Sequence, residues 1–566
     1  MRKIPRIFIL SFTSVSVTAI LFAQTQAQSF ISILDSAREE YSKKNWHKAA
    51  TLWEQVTTAN PVDGYSWEYL AAAYYNDKAF EKAIPAYQKL VELGFGVPAN
   101  HAYNVACCYS LIKNKQQSLF WLRKAMDLGY YYVAHAQTDT DLDFIAGDQA
   151  FKDLLFLKDV NKMTRNEGWL YDLDMLQWEV KRKVIHHSFN QDLPSFYASL
   201  GRLRKEIPRL SDAQIIIELM KAVRFIGDGH SNIFLPTSRP EFKQTLPVQF
   251  YFFEEGLFII SSDPKYKELL GSQVLQFENK KVYEVINSLD PLIGRDNKMN
   301  VMVRLPYLMR HPILLQTLGL ISNVNQVALR IKNQQGEEKT VSIMADTLQP
   351  DIWNIQPYPK GWISYPDLLT DSMPLYLRNN DKTFWFEYIP ASRIVYAQVN
   401  RIRNTPEESL TSFERRLSDF INENDVAKLV IDLRGNNGGN TFSGWDFVNE
   451  LSHNSKINRK GHLFVIIGRR TFSAAQNTAT YFERLTNAIF VGEPTGSRPN
   501  FVGDEAPIKL PYSHIELNVS GVLWQSSWGV DNRTWIAPLL YVPPTIKDYI
   551  KNRDGAMETI ANYKID

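Results

Sequence analysis

The sequence predicts a multidomain protein in which an N-terminal array of α-helical repeats precedes a mixed α+β and α/β region. The chain has 566 residues, whereas a single hydrophobic core rarely grows beyond about 250–300 residues. Residues 30–157 repeat small apolar positions with a period of 34 residues, and from residue 384 onward apolar runs alternate with helical segments. Such alternation is typical of a parallel sheet covered by helices.

Composition and charge exclude several classes of protein. Hydrophobic residues make up 45% of the chain and charged residues 22%, which is ordinary for a folded globular protein. Because 63 basic and 61 acidic residues leave a net charge of +2 without long runs of one sign, we expect no nucleic-acid partner. The two cysteines, Cys107 and Cys108, are adjacent, and there is no His-Glu-x-x-His run, so we expect neither a metal nor a cofactor.

The first 27 residues have the pattern of a secretory signal peptide. Three basic residues precede an apolar run from Ile7 to Phe22, and small residues flank the polar segment that follows, with Ala27 at its end. A membrane anchor is the alternative, but five hydroxyl residues interrupt the run, which is shorter than the roughly 20 apolar residues that span a bilayer. We therefore predict a cleaved signal peptide over residues 1–27, no membrane span after its removal, and an exported protein, periplasmic or extracellular.

The segment 30–157 carries the repeat. Ala83 follows Ala49 by 34 residues, and a small residue, Ala37 or Ala71, lies 12 residues before each of them. Small residues at these offsets allow antiparallel helices to approach closely, and the pattern resembles tetratricopeptide repeats. A generic array of helical hairpins is the alternative. Repeats of this type present a concave surface to peptides or proteins, so we expect a possible protein partner here.

Three further segments complete the predicted organisation. Apolar spacings near 3.6 predict helices within residues 165–240, as the N-terminal part of the catalytic region. Short runs of β-branched and aromatic residues separated by turn residues predict strands over residues 245–345. Residues 384–566 form the predicted α/β core.

The segment LFVIIGRRTFSAAQNTATYFERL places a serine at the start of a helix. A buried strand ends at Gly468, and Ser473 begins a helix that runs to about Leu485. A serine hydroxyl at this position lies beside free backbone N–H groups, which can stabilise a developing oxyanion. A capping box between Ser473 and Gln476 is the alternative interpretation.

Two other segments become candidates for the same site because of this serine. In KLVIDLRGNNGGN, residues 428–440, a buried strand runs into a turn that contains Gly438 and Gly439. No Gly-Lys-Ser/Thr follows, which excludes a phosphate-binding loop; a tight structural turn remains the alternative to an oxyanion donor. In GDGHS, residues 227–231, His230 follows a predicted helix. A lone histidine is usually structural, so we consider His230 a candidate catalytic residue only in combination with Ser473.

Together DLRGNNGG, TFSAAQ, VGEPTGSRP, the DNRTWIAPLLYVPPT stretch and GDGHS resemble the tail-specific (C-terminal processing) and tricorn-core serine peptidase family, over roughly residues 165–566. The resemblance implies a peptidase fold of the ClpP/crotonase-like type with a PDZ-like domain at 245–345, and protein or peptide substrates. It implies that Ser473 is the nucleophile and that the amides of Ala474 and of Gly438 or Gly439 form the oxyanion hole. The PDZ-like segment lacks the family's acidic residue and second glycine, which leaves its peptide binding open.

The resemblance also implies which residue acts as the general base for the serine. The processing branch uses a lysine shortly after a GE-x-T segment, where this chain has Arg498, and an arginine cannot act as a base near neutral pH. The tricorn-like branch uses a histidine in a segment like GDGHS, which makes His230 the general base. Asp531 matches the place of the acid that orients the imidazole, with Glu493 and Asp504 as rivals.

We expect Asp228 to fix its own turn beside His230 rather than to orient the imidazole. The sequence thus predicts an exported serine-type peptidase with tetratricopeptide-like repeats that bind a protein or peptide. The alternatives are a catalytically inactive peptide- or ligand-binding relative and a scaffold in which only the repeats act. Retention of both Ser473 and His230 favours the enzyme, because an inactive relative has little reason to keep both.

Overall fold

The structure is a computed structural model that describes residues 30–184, 190–347, 359–369 and 373–565. The predicted signal peptide lies outside the described residues. The chain divides into two compact units, one made of Met1–Met163 with Lys181–Lys183, the other of Thr164–Val180 with Val184–Asp566. Within the described ranges, no helix combines the length and apolar character that crossing a bilayer requires.

The described part of the first unit, from residue 30 onward, consists of helices joined by turns and short irregular segments. The small residues that define the sequence period are completely buried, among them Ala49, Ala71 and Ala83. Ser118 occupies a small-residue position of the third copy, and its hydroxyl donates to the carbonyl of Ala106 at 2.9 Å. A helical N-terminal region is therefore confirmed. Its helices are α1 (30–42), α2 (Trp46–Ala59), α3 (Gly64–Asn76), α4 (Phe80–Leu93), α5 (Pro98–Leu111), α6 (Lys115–Asp127), α7 (Val133–Ala136), α8 (Asp143–Ala146) and α9 (Gln149–Leu154).

The second unit begins with helices and continues into an antiparallel sheet. The predicted strands of residues 245–345 are present, but three helices interrupt them. The sheet has the order β2-β3-β4-β6-β7, with β5 on β4 and β8 on β3. The elements in chain order are α10 (Arg165–Lys183), α11 (Leu193–Glu206), α12 (Asp212–Val223), β1 (Asn232–Ile233), β2 (Val248–Phe253), β3 (Gly256–Ser262), β4 (Gln273–Phe277), β5 (Lys280–Lys281), α13 (Val282–Leu289), α14 (Lys298–Leu308), α15 (Pro312–Thr317), β6 (Gln326–Lys332), β7 (Glu338–Met344) and β8 (Ile363–Ser364).

A six-stranded sheet forms the core of the predicted α/β region. Its order is β16-β13-β12-β11-β10-β9, and all neighbours are parallel except β9 and β10. The bounds of its elements are β9 (Phe384–Ile389), β10 (Ile394–Val399), α16 (Leu410–Glu423), β11 (Lys428–Asp432), α17 (Thr441–Ser452), β12 (Leu463–Ile467), α18 (Ala474–Leu485), β13 (Ile489–Gly492), β16 (Leu540–Tyr541), α19 (Ile546–Tyr549) and α20 (Gly555–Asn562).

Both faces of this sheet are covered, which is why its central strands are continuous apolar runs. Alternate residues of a strand point to opposite faces. On one face Ile431 packs in a cluster with Phe413, Phe447 and other residues of α16, α17 and α18. On the other face the neighbouring Val430 packs with residues of α20. The parallel sheet flanked by helices is the expected α/β layer.

A third, three-stranded sheet connects distant parts of the second unit. It contains β14 (Asn500–Lys509) and β15 (Glu516–Gln525), with β1 antiparallel to β15. The register pairs Asn232 with Asn518. Because β1 begins two residues after His230, this pairing fixes where the GDGHS segment lies relative to the C-terminal part of the chain.

Candidate active site

Ser473 lies between the end of β12 and the first residue of α18, in a strained backbone conformation. Its φ of 54° and ψ of −128° belong to the positive-φ region that only a few per cent of non-glycine residues adopt, and such strain often occurs at functional sites. The hydroxyl makes no capping hydrogen bond to the helix, so the alternative of a capping box is wrong. Ser473 is partly exposed and lines a cavity of about 320 Å³.

The turn after β11 packs directly against this serine. Gly438 and Gly439 both have positive φ, 114° and 142°. A Cβ on Gly438 would lie 2.7 Å from the Cβ of Ser473 and 3.0 Å from the backbone N of Ala474. The glycine therefore allows the turn to approach the start of α18 more closely than any other residue would.

The predicted oxyanion donors differ in their availability. The N–H of Gly438 donates to the side-chain oxygen of Asn436 at 2.8 Å, so it is already used within the turn. The N–H groups of Gly439 and Ala474 donate to no residue in the described part of the chain, and Gly439 lines the same cavity as Ser473. The structure thus favours Gly439 over Gly438, together with Ala474.

Asn436 is a residue that the sequence analysis missed. It is completely buried, and its side-chain amide donates to the carbonyl of Val399 at 2.8 Å. Its own carbonyl accepts the N–H of Phe472, the residue before the serine, at 3.3 Å. Asn436 therefore joins β10, the glycine turn and the serine segment. An asparagine in a glycine-rich turn commonly bonds the backbone of that turn, and this pattern is the feature of the sequence that could have identified Asn436.

The structure brings the ring of His230 to the serine segment. The imidazole stacks on Phe472, with ring centroids 4.3 Å apart and planes at 29°, and on Phe501, at 5.3 Å and 8°. Phe472 directly precedes Ser473, and Phe501 lines the serine cavity. Neither ring nitrogen forms a hydrogen bond within the described ranges. His230 thus stacks on the residue that precedes the candidate nucleophile and is not hydrogen-bonded to the nucleophile itself.

The surroundings of the imidazole favour its neutral form. Burial and the positive charge of Arg304 lower the pKa of His230 to about 3, and the backbone of Val502 opposes this only in part. Arg304 is held close by donating to the carbonyl of Gly229 at 2.9 Å. A neutral imidazole has an unprotonated nitrogen, as a general base requires.

Two buried carboxylates hold the segment that carries His230. Asp228 accepts hydrogen bonds from the amides of His230 and Ser231 at 2.8 and 2.6 Å, and from the hydroxyl of Ser520 at 3.0 Å. Asp296 accepts the N–H of Gly229 at 3.0 Å, and burial raises the pKa of Asp296 to about 6. The expectation that Asp228 fixes its own turn is confirmed.

The structure corrects the predicted contact between Asp531 and the imidazole. The carboxylate of Asp531 accepts hydrogen bonds from Arg533 at 2.9 Å and from the hydroxyl of Ser527 at 2.6 Å, and its bonds to Arg533 lower the pKa of Asp531 to about 2. Neither bond leads to His230, whose ring nitrogens have no partner in the described chain. In this structure Asp531 is therefore bonded to Arg533 and Ser527 and not to the imidazole.

The rival acids do not bond the imidazole either. Glu493 forms a buried ion pair with Arg469, with N–O distances of 2.5 and 3.0 Å. Asp504 is exposed and lines the serine cavity. Among the described residues, no acid contacts a ring nitrogen of His230.

A strained serine at a helix start, two unbonded amides beside it and a neutral histidine stacked on the preceding residue are the groups that a serine-type peptidase would use. Residues 393–503, which include the glycine turn, Ser473 and Phe501, match the model of Peptidase family S41. No curated protein matches the sequence.

One solved structure shares a common fold with most of this chain. Mature CPAF complexed with lactacystin matches with a TM-score of 0.50 at 12% identity, over 70% of this chain and 97% of that chain. Two other matches are more remote. The photosystem II D1 C-terminal processing protease has a TM-score of 0.32 at 13% identity, over 68% of this chain and 94% of that chain. The tricorn protease has a TM-score of 0.33 at 14% identity, over 71% of this chain and 37% of that chain. The first match shows a common fold; the other two have TM-scores too low to carry an argument.

We predict that Gly438→Ala inactivates the enzyme. The new Cβ would collide with the Cβ of Ser473 and the backbone N of Ala474, and the backbone has a φ that alanine rarely adopts. We expect kcat/KM on a peptide substrate to fall by at least about 100-fold, comparable to losing an oxyanion donor. Gly435→Ala is the matched control, because a Cβ there meets nothing within 4 Å. Equal activity of both folded variants would contradict the described packing.

Proposed function

We propose that this protein is an exported serine peptidase that hydrolyses peptide bonds of proteins or peptides through Ser473, with His230 as the general base. The observation that carries the proposal is the serine itself, strained at the start of α18 and lining a cavity with Gly439. The stacking of His230 on Phe472 supports the choice of base.

The first half of the reaction forms an acyl-enzyme. The Oγ of Ser473 attacks the carbonyl carbon of the scissile bond while its proton passes to the unprotonated nitrogen of His230. The N–H groups of Gly439 and Ala474 stabilise the oxyanion of the tetrahedral intermediate. The intermediate then breaks its C–N bond, and the imidazolium of His230 returns the proton to the leaving amine.

The second half restores the enzyme. A water molecule gives one proton to His230 and attacks the acyl carbon, and the same amides hold the second oxyanion. Collapse of this intermediate breaks the bond between the acyl carbon and Oγ of Ser473, which recovers its proton from His230. The product acid leaves, and the enzyme returns to its initial protonation state.

The proposal requires a movement of the imidazole. In the structure the ring of His230 lies between Phe472 and Phe501, with no hydrogen bond from either nitrogen to a described residue. We propose that substrate binding moves the ring to hydrogen-bonding distance of Ser473. Catalytic hydrogen bonds are often long or absent without substrate and form only in the complex.

Arg498 is a poor competitor for the role of base. Its guanidinium donates to the side-chain oxygen of Asn190 at 3.1 Å and to the carbonyl of Asn532 at 3.5 Å. An arginine stays protonated at neutral pH. We therefore assign a binding or structural role to Arg498 and the proton transfers to His230.

We also propose that the helical first unit is a tetratricopeptide-like array that binds a protein or peptide, and that the sheet of β2–β8 is PDZ-like. Support for the array comes from the period of the sequence and from the buried small residues between its helices.

The proposal of export rests on the composition of residues 1–27. The ClpP/crotonase-like type of the catalytic core is supported by the order of its sheet and by helices on both faces.

A catalytically inactive ligand-binding relative is the second candidate. The observation that favours it is the imidazole of His230, which contacts no orienting acid in the described chain. Such a protein would keep the cavity beside Ser473 for binding without turnover.

A fluorophosphonate probe distinguishes the two candidates. We predict covalent labelling of the wild type, none in Ser473→Ala, and a reduction by several orders of magnitude in the rate for His230→Ala, since loss of one triad member has effects of that size. Labelling is read by gel fluorescence and intact mass. Arg498→Ala is the control and should retain labelling. A folded wild type that stays unlabelled would support the inactive relative, and loss of labelling in Arg498→Ala alone would contradict the choice of base.

We further predict that activity persists below the usual pKa of histidine. Protonation of His230 removes the base, and a pKa lowered from 6.5 to about 3 moves that loss to lower pH. The acidic limb of kcat/KM, which reports the free enzyme, should therefore lie well below pH 6.5 in a protein whose fold is verified by circular dichroism at each pH. A half-maximal kcat/KM near pH 6.5 would show that the imidazole of the free enzyme is not buried as described.

A further inference from the structure

Several exposed aromatic side chains lie beside the serine cavity. The side chains of Phe442 and Trp445 on α17 are 71% and 41% exposed, and that of Trp528, which follows β15, is 68% exposed. Trp524 of β15 is partly exposed and lines the cavity itself. Single exposed apolar residues are normal on a protein surface, but a connected group of them usually marks an interaction site. The proposed peptidase reaction uses none of these side chains.

Contacts connect these residues to one another. The ring of Phe442 packs edge to face on that of Trp524, with centroids 6.1 Å apart. Trp445 packs in the same way on Tyr481, with centroids 5.0 Å apart. The hydroxyl of Tyr481 lies 3.3 Å from that of Ser526, which is two residues after Trp524. The group is called the aromatic surface below, and its members are Phe442, Trp445, Trp524 and Trp528.

The aromatic surface continues into the wall of the cavity that contains Ser473. Trp524 lies opposite Phe501 in the antiparallel pair of β15 and β14, and both residues line the cavity. Side chains directly opposite each other on neighbouring strands lie on the same face of a sheet. Phe501 in turn stacks on His230. A row of aromatic rings therefore leads from the imidazole through Phe501 and Trp524 to Phe442.

A buried asparagine holds together the two segments that carry the aromatic surface. The side-chain amide of Asn477 on α18 donates to the hydroxyl of Thr441 at 2.9 Å, and its side-chain oxygen accepts the hydroxyl of Ser526 at 2.8 Å. Asn477 is completely buried. Thr441 lines the serine cavity and directly precedes Phe442. The surface is therefore formed before a ligand arrives, which lowers the entropic cost of binding.

The chemistry of the aromatic surface favours apolar ligands over cationic ones. Aromatic rings pack well against aromatic and aliphatic groups, but they also attract cations. Here the guanidinium of Arg484 already lies over the ring of Trp528, 4.9 Å from its centre. A second cation at this ring would be repelled by the first.

We propose that the aromatic surface binds bulky apolar side chains of the polypeptide whose scissile bond lies at Ser473. One ligand can occupy both places because Trp524 belongs to the aromatic surface and to the lining of the cavity. Folded proteins bury most of their bulky apolar side chains, so the site selects unfolded or extended segments that are rich in them. This inference rests on the proposed function and specifies the substrate class of the same site.

Peptide binding to the full-length Ser473→Ala protein tests the proposal without turnover. The probes are fluorescein-labelled peptides of alternating alanine and glycine whose two central residues are Phe, Leu, Ser, Lys or Glu. By fluorescence anisotropy we expect the Phe and Leu peptides to bind at least about tenfold more tightly than the Ser peptide, because only their side chains transfer apolar area out of water. Equal affinities, or tighter binding of the Lys or Glu peptide, would overturn the proposal.

Variants locate the bound side chains. Phe442→Ser and Trp528→Ser should each weaken binding of the Phe peptide about fivefold or more, as loss of an aromatic contact at an interface does. Leu539→Ser is the matched control and should leave the affinity unchanged, because Leu539 is 70% exposed and lies outside the aromatic surface and the cavity lining. Affinities that neither variant changes would overturn the proposal. So would a dimer, seen by sedimentation, that Phe442→Ser dissociates, because the surface would then bind a second copy of the chain.

Failure of this inference and failure of the proposed reaction give different results. A wild type that resists the fluorophosphonate, while its Ser473→Ala form binds the Phe and Leu peptides as expected, would contradict the reaction and support the aromatic surface. A wild type that is labelled and cleaves the Phe and Ser peptides with equal kcat/KM would support the reaction and contradict the aromatic surface.

Discussion

The catalytic region depends on the close approach between the glycine turn after β11 and the first residues of α18. The Cβ that Gly438 lacks would lie within 3.0 Å of both the Cβ of Ser473 and the backbone N of Ala474. Asn436 maintains this approach from inside the turn, because it bonds Val399, Gly438 and Phe472 at once. The amides of Gly439 and Ala474 are therefore positioned by close packing and by a buried, hydrogen-bonded side chain, as preorganised stabilisation of an oxyanion requires.

The position of His230 has a different cause. The short strand β1 pairs with β15, and the carboxylate of Asp228 joins the His230 segment to Ser520 of β15. Burying this carboxylate is unfavourable unless its hydrogen bonds are made, and both of its oxygens accept bonds from the described chain. The imidazole is thereby placed against Phe472, where it stacks on that ring and interacts with the backbone of Val502. This explains how a residue so distant in the chain reaches the serine without bonding it.

Local patterns in the sequence were sufficient to predict a serine at a helix start, the glycine turn and the two kinds of folded region. A strand, a glycine and a serine at a helix start are all local features, and so is the helical repeat. Three outcomes depend on contacts that no local pattern contains. Asp531 bonds Arg533, which in turn bonds Glu483 on α18. The N–H of Gly438 donates to the side chain of Asn436 and is not available to an oxyanion. The helices α13–α15 interrupt the predicted strands of residues 245–345.

The most direct measurement is a crystal structure of the enzyme with a peptide boronate bound covalently to Ser473. We expect one boronate oxygen to lie within about 3 Å of the backbone N atoms of Gly439 and Ala474, the range for oxyanion donors, and a ring nitrogen of His230 to bond the adduct or the Oγ of Ser473. A covalent adduct whose oxygens contact neither amide, with the imidazole still stacked and unbonded, would contradict the proposed mechanism.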